Sequence, residues 1–121
     1  MSGGGAAPLY EQTLALAAAI EGALAGEDEH PGLAAGVLQG ALLLVDRVAL
    51  AVAGIDRARN LAAADAALCT LRARLDLARR CGLWEDAIHL AAAEQTEAIG
   101  RQIGGWLRSL SRGPRAPEPS G

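Results

Sequence analysis

Phenylalanine and lysine are missing altogether, and aromatic side chains make up 2% of the 121 residues, namely Tyr10, Trp84 and Trp106. With 51% apolar residues and so few rings, the interior must be filled by Ala, Leu, Val and Ile, whose small volumes let helices lie close together. The shortage of rings also argues against nucleic-acid binding by base stacking, so contacts of that kind would go to phosphate and sugar. Without lysine, arginine is the only strong base, a bias that genome composition explains as readily as function. Proline is confined to Pro8, Pro31, Pro114, Pro117 and Pro119, which leaves residues 32–113 free of the strongest helix breaker. An all-α protein is expected.

Cysteine is scarce too. Cys69 and Cys81 stand twelve residues apart in a helical stretch, about 18 Å along the axis, too far to pair with each other. No charged segment followed by an apolar one opens the chain, so a reducing cytoplasm is the expected location. The apolar run from Val37 to Ile55 is interrupted by Gln39, Asp46 and Arg47 and lacks a flanking basic cluster, which favours a buried bundle helix over a membrane span. No P-loop, dinucleotide fingerprint, nucleophile elbow, zinc-protease motif or paired metal-binding cysteines occur, and Gly3-Gly4-Gly5 reads as a flexible start. Glu85 and His89 have the spacing of two metal ligands on one helix face, yet nothing supplies a third, so a solvated pair is expected. The chain reads as a non-enzyme without cofactor or metal.

What is present is helical periodicity. One domain fits the length, with a mobile start at 1–7, a bundle at 8–110 and a polar, proline-rich tail at 111–121 that has nothing to bury. A first helix is expected at 8–25 with Leu9, Leu16, Ile20 and Leu24 inward, and a second at 32–54. The second has two apolar stripes, one of Leu38, Leu42, Val45 and Val52 and one of Val37, Ala41, Leu44, Val48 and Ile55, and is expected to be the most buried. A third at 58–80 carries the seam Leu61, Ala64, Leu68, Leu71, Leu75 and Ala78, and Gly82 stops it. A fourth runs from about Trp84 to Leu110, roughly 40 Å at the standard rise. Short connections make this an up-down-up-down four-helix bundle.

Charge is segregated. Residues 1–46 hold six acids and no base, whereas residues 47–121 hold eleven arginines against eight acids, −6 against +3 within the net −3. The two halves suit different partners. Some arginines have local acids at helical spacing: Arg72 and Arg80 each lie four residues from Asp76, and Glu97 precedes Arg101 by four. Setting those aside leaves Arg57, Arg59, Arg74, Arg79, Arg108, Arg112 and Arg115 as candidates for a phosphate backbone or an acidic protein face, although Arg79 also reaches Asp76. Asp65, beside the seam of the third helix, is best read as one half of a helix-to-helix ion pair.

The fourth helix contains Ile99-Gly100-Arg101-Gln102-Ile103-Gly104-Gly105-Trp106-Leu107. Glycine inside a helix costs about 1 kcal/mol relative to alanine, so Gly100, Gly104 and Gly105 imply a close approach to this backbone. Trp106 and the glycine pair fit either ordinary core packing or a seam between protomers, core being the safer reading for Trp106. About thirty residues upstream stands Ala63-Ala64-Asp65-Ala66-Ala67-Leu68-Cys69-Thr70-Leu71-Arg72.

On these two blocks the chain resembles the accessory variability determinant (Avd) family over about residues 58–110, while residues 8–55 match in helical layout. Avd proteins are small four-helix bundles of diversity-generating retroelements that assist a reverse transcriptase in copying a template RNA mutagenically into cDNA. The resemblance implies a ring-shaped homopentamer, and a basic surface that meets nucleic acid and polymerase. Related bundles encoded within ribosomal-RNA insertions share the architecture. The alternatives are therefore a structural or protein-interaction bundle with no reverse-transcriptase partner, or a small enzyme with a site in the bundle core.

Overall fold

Residues 6–112, described by a computed structural model, form α1 (Ala6–Leu24), α2 (Pro31–Val52), α3 (Arg57–Arg80) and α4 (Asp86–Ser111). No strand occurs among the described residues, so the chain is all-α. The expected mobile start, apart from its last two residues, and nearly all of the expected tail lie outside them, as does Arg115.

Each boundary has a local cause. Helix α1 begins two residues before its expected start, because Pro8 then falls in the first turn, where its missing N–H has no intrahelical partner to lose. Pro31 opens α2, and the preceding loop is held by the Glu27 carboxylate, which accepts from the backbone N–H of Glu29 (2.7 Å) and His30 (2.8 Å). Helix α4 begins at Asp86, two residues after Trp84. Trp84 stays in the connection, 8% exposed, as part of the core. Gly54 (φ +84°) and Gly82 (φ +80°) lie just past α2 and α3 in the left-handed conformation that closes a helix. A methyl group at Gly82 would meet nothing within 4 Å, so Gly82→Ala should cost about 1 kcal/mol through backbone strain alone, read as a lower denaturation midpoint.

The helices pack in a closed circuit: α1 on α2, α2 on α3, α3 on α4, and α4 back on α1, with no diagonal packing among the described residues. The core is aliphatic throughout except for Trp84. All four expected inward residues of α1 and all six of the α3 seam are buried. Thr13, in the α1 stripe, is also buried, its hydroxyl donating to the Leu9 carbonyl at 2.8 Å.

Helix α2 departs from expectation. Its core face is the stripe Val37, Ala41, Leu44 and Val48, while Leu42 of the other stripe is 44% exposed, its neighbour Leu43 is 42% exposed, and Ile55 lies beyond the helix end at 53%. Leu38, Val45 and Val52 are half-buried. Like every helix of this circuit, α2 turns only part of its circumference inward, and with six buried residues against the eight of α3 it does not carry the longest buried seam. By length and composition alone α2 is the one described helix that could cross a membrane. In this fold it packs against α1 and α3.

Candidate nucleic-acid interface

Elimination along the sequence singles out the arginines, and their surroundings separate them into two groups. Arg57, at the start of α3, is occupied. Its Nε donates to the Ala51 carbonyl at the end of α2 (2.9 Å), and its guanidinium carbon stands 5.0 Å from the centroid of the Trp106 ring on α4. One side chain thus ties three helices together at this end of the bundle. Beside it, Arg47 donates to the Asn60 Oδ1 (3.2 Å), and the Asn60 Nδ2 donates to the Ile55 carbonyl (2.6 Å). Arg57→Ala removes both a cation–π contact and a charged hydrogen bond. It should lower stability by about 1–2 kcal/mol in chemical denaturation and alter Trp106 emission.

Arg74 and Arg79 are also engaged. Arg74 sits in the second half of α3 and donates to the Gly36 carbonyl of α2 at 2.6 Å, its chain lying over Gly40. Arg79 is at the far end of α3 and pairs with Asp86 at 3.1 Å. Neither lies near the Arg57 end, so the structure does not gather the six candidate arginines that fall within the described residues into one patch.

Arg59, Arg108 and Arg112 form the second group. All three are exposed, and none of their guanidinium groups is in an ion pair or hydrogen bond among the described residues; the Ser111 hydroxyl donates to the Arg108 carbonyl at 3.0 Å. Arg59 lies in the first turn of α3, and Arg108 and Arg112 follow Trp106 at the end of α4. The Arg57–Trp106 contact places those two helix ends side by side. Long-stemmed guanidinium groups without a hydrogen-bond partner among the described residues suit bidentate binding of phosphate.

Local ion pairs differ from the expected ones. Asp76 faces His89 across α3 and α4 at 3.4 Å instead of pairing with Arg72, Arg79 or Arg80. Arg72 donates to the Thr96 carbonyl of α4 at 3.2 Å. Interhelical partners displace the i,i+4 ones because these exposed side chains lie along the edge of the α3–α4 seam, beside His89 and Thr96. Glu97 and Arg101 do meet, at 4.0 Å. Asp65 is exposed and in no ion pair among the described residues, so the expected helix-to-helix bridge is not formed there. His89 turns toward Asp76, not Glu85, and among the described residues no three His, Cys, Asp or Glu side chains are grouped to hold a metal. Cys69 and Cys81 are exposed, free thiols.

The glycines of α4 also divide. At Gly100 a β-carbon would stand 2.8 Å from the Arg72 Nη2 and 3.3 Å from the Leu68 Cδ2, so here α3 makes the close approach that the sequence implies. Gly104 and Gly105 are half-buried, and a β-carbon there would meet only the guanidinium of Arg108 on the same helix. Trp106 is half-buried, packed on the core on one side and beneath Arg57 on the other.

No protein-family model, curated protein or solved structure matches the chain.

Proposed function

We propose that this protein is a non-catalytic, cytoplasmic accessory factor of a retroelement reverse transcriptase, binding template RNA and polymerase to support mutagenic cDNA synthesis as Avd proteins do. The observation that carries the reading is the set of exposed arginines Arg59, Arg108 and Arg112 at one end of the helices, none of them in an ion pair among the described residues. The two sequence blocks on α3 and α4 supply the family resemblance. The finer architecture is part of the proposal: an up-down-up-down bundle assembling as a homo-oligomeric ring, a pentamer by resemblance. Its topology is supported by Arg57 meeting Trp106 at one end of α3 and Arg79 meeting Asp86 at the other. Half-buried Gly104 and Gly105, where among the described residues no other helix comes within 4 Å of an added β-carbon, support a seam with another protomer. Nothing in the role requires a cofactor or a membrane.

Phosphate contacts from three arginines are modest alone and adequate when a polymerase shares the RNA. Their signature is salt dependence without sequence preference. Titration of labelled single-stranded RNA, followed by anisotropy, should show affinity falling by about 20-fold over a fourfold rise in salt. An affinity indifferent to salt would contradict phosphate binding and leave a protein-interaction bundle as the better reading.

A further inference from the structure

A second surface lies along the side of the molecule, between α1 and α4. Two adjoining depressions sharing Ala91 and Gln95 run along it, of about 340 Å³ near Trp84 and Ala23 and about 370 Å³ near Gln12 and Ala98. The α1 wall is Ala15, Ala19 and Ala23, four residues apart, so the backbone itself is within reach. From Gln12 to Ala23 the groove extends about 16 Å, three helical turns. Ile88, 38% exposed, stands in the groove, and Leu90 on the same helix is 60% exposed. Trp84 lines one end and is 8% exposed, and its indole N–H is shut off from solvent with no acceptor among the described residues.

Charge at this groove is sparse: Glu94 is the one charged residue lining it, Glu11 stands one helical turn from Ala15 on α1, which carries no base, and Arg101, one turn past Ala98 on α4, is paired with Glu97. We infer that the α1–α4 groove is a docking site for an amphipathic helix of a partner protein, with apolar residues at three- and four-residue spacing and arginine or lysine on its flanks. Alanine walls let a helix seat close to the backbone, the mode by which grooves read an apolar helix face. Glu94, with Glu11 at the α1 edge, sets its charge preference and speeds the encounter. The surface is separate from Arg59, Arg108 and Arg112, so the molecule would hold an anionic ligand at one end and a cationic helix along its side.

The two tryptophans give a built-in control. Isotope-labelled full-length protein is titrated with a synthetic peptide of about four helical turns, leucines on one face and lysines on its flanks. The Trp84 indole resonance should move and saturate while that of Trp106 stays. A peptide with glutamate in place of lysine, and a scrambled one, should leave Trp84 unmoved. Ala91→Leu, a substitution of an exposed residue that fills the groove, should abolish the shift, and Glu94→Arg should weaken binding by about tenfold. RNA titration of Ala91→Leu should match the original protein, which separates this site from the arginine end. The inference is overturned if Trp84 is unmoved at about millimolar peptide, or if scrambled or acidic peptides act equally. It is also overturned if Trp84 shifts with protein concentration alone and Ala91→Leu abolishes that, since the occupant would then be a second copy of this chain.

Discussion

Leu71→Ala is expected to lower the unfolding free energy by about 2–5 kcal/mol. Leu71 is fully buried on α3, and a β-carbon at Gly40 of α2 would stand 3.3 Å from its Cδ1, so the two helices are fitted to each other there. A small domain has about 5–15 kcal/mol in hand, so one such cavity removes a large share of it. The interior is aliphatic apart from Trp84, and no large flexible ring sits near Leu71 to swing into the gap. Leu77→Ala, at a site 49% exposed on the same helix, should stay within about 0.5 kcal/mol. Urea denaturation of the pair measures both. Equal effects would mean that the α3 seam is not the core.

Arg59→Glu/Arg108→Glu/Arg112→Glu is expected to weaken RNA binding roughly a hundredfold, at about 1 kcal/mol for each arginine–phosphate bond removed. The slope of log affinity against log salt should shrink by about 2, three phosphates at about 0.7 each on a single strand. Stability should hardly change, because none of the three has a partner side chain to lose among the described residues. The main cost is Arg108, in the last turn of α4, where a positive charge stabilises the helix end by about 1 kcal/mol at most. Arg74→Glu should behave the opposite way, destabilising the α2–α3 packing through loss of its bond to Gly36 and leaving the salt slope intact. A triple variant that binds RNA as tightly as the original would show that the arginine end is not the RNA site.

How far the sequence could be read depended on whether a signal was local. The α3 seam from Leu61 to Ala78 was legible because apolar residues at three- and four-residue spacing on a proline-free helix have one way to be buried together. Gly82 was legible as a stop for a similar reason: a helix end calls for a left-handed residue close by. Helix α2 was harder. Its two apolar stripes are equivalent on a helical wheel, and only the positions of α1 and α3 decide that Val37, Leu44 and Val48 turn inward while Leu42 faces out.

Side-chain partners far apart in the chain were not legible. Arg74 finds a carbonyl 38 residues away and Arg72 one 24 residues away. Asp76 chooses His89 over arginines one turn distant. Spacing rules rank only nearby partners, so elimination leaves Arg57, Arg74 and Arg79 as candidates when each is engaged within the fold. The three glycines of α4 carried a real signal that sequence could not divide: Gly100 admits Arg72 and Leu68, whereas among the described residues no other helix comes within 4 Å of a β-carbon added at Gly104 or Gly105. The groove between α1 and α4 had only a faint trace, the alanines at Ala15, Ala19 and Ala23, which read equally well as helix-forming filler.

The most direct test of the retroelement role is capture of the tagged, full-length protein from its native cells at moderate salt, with mass spectrometry of the proteins and sequencing of the RNA that accompany it. A reverse transcriptase should come down together with one enriched RNA, and both should be missing when the Arg59→Glu/Arg108→Glu/Arg112→Glu variant is captured. Reproducible capture with neither polymerase nor RNA would contradict the retroelement role and leave the four-helix fold standing.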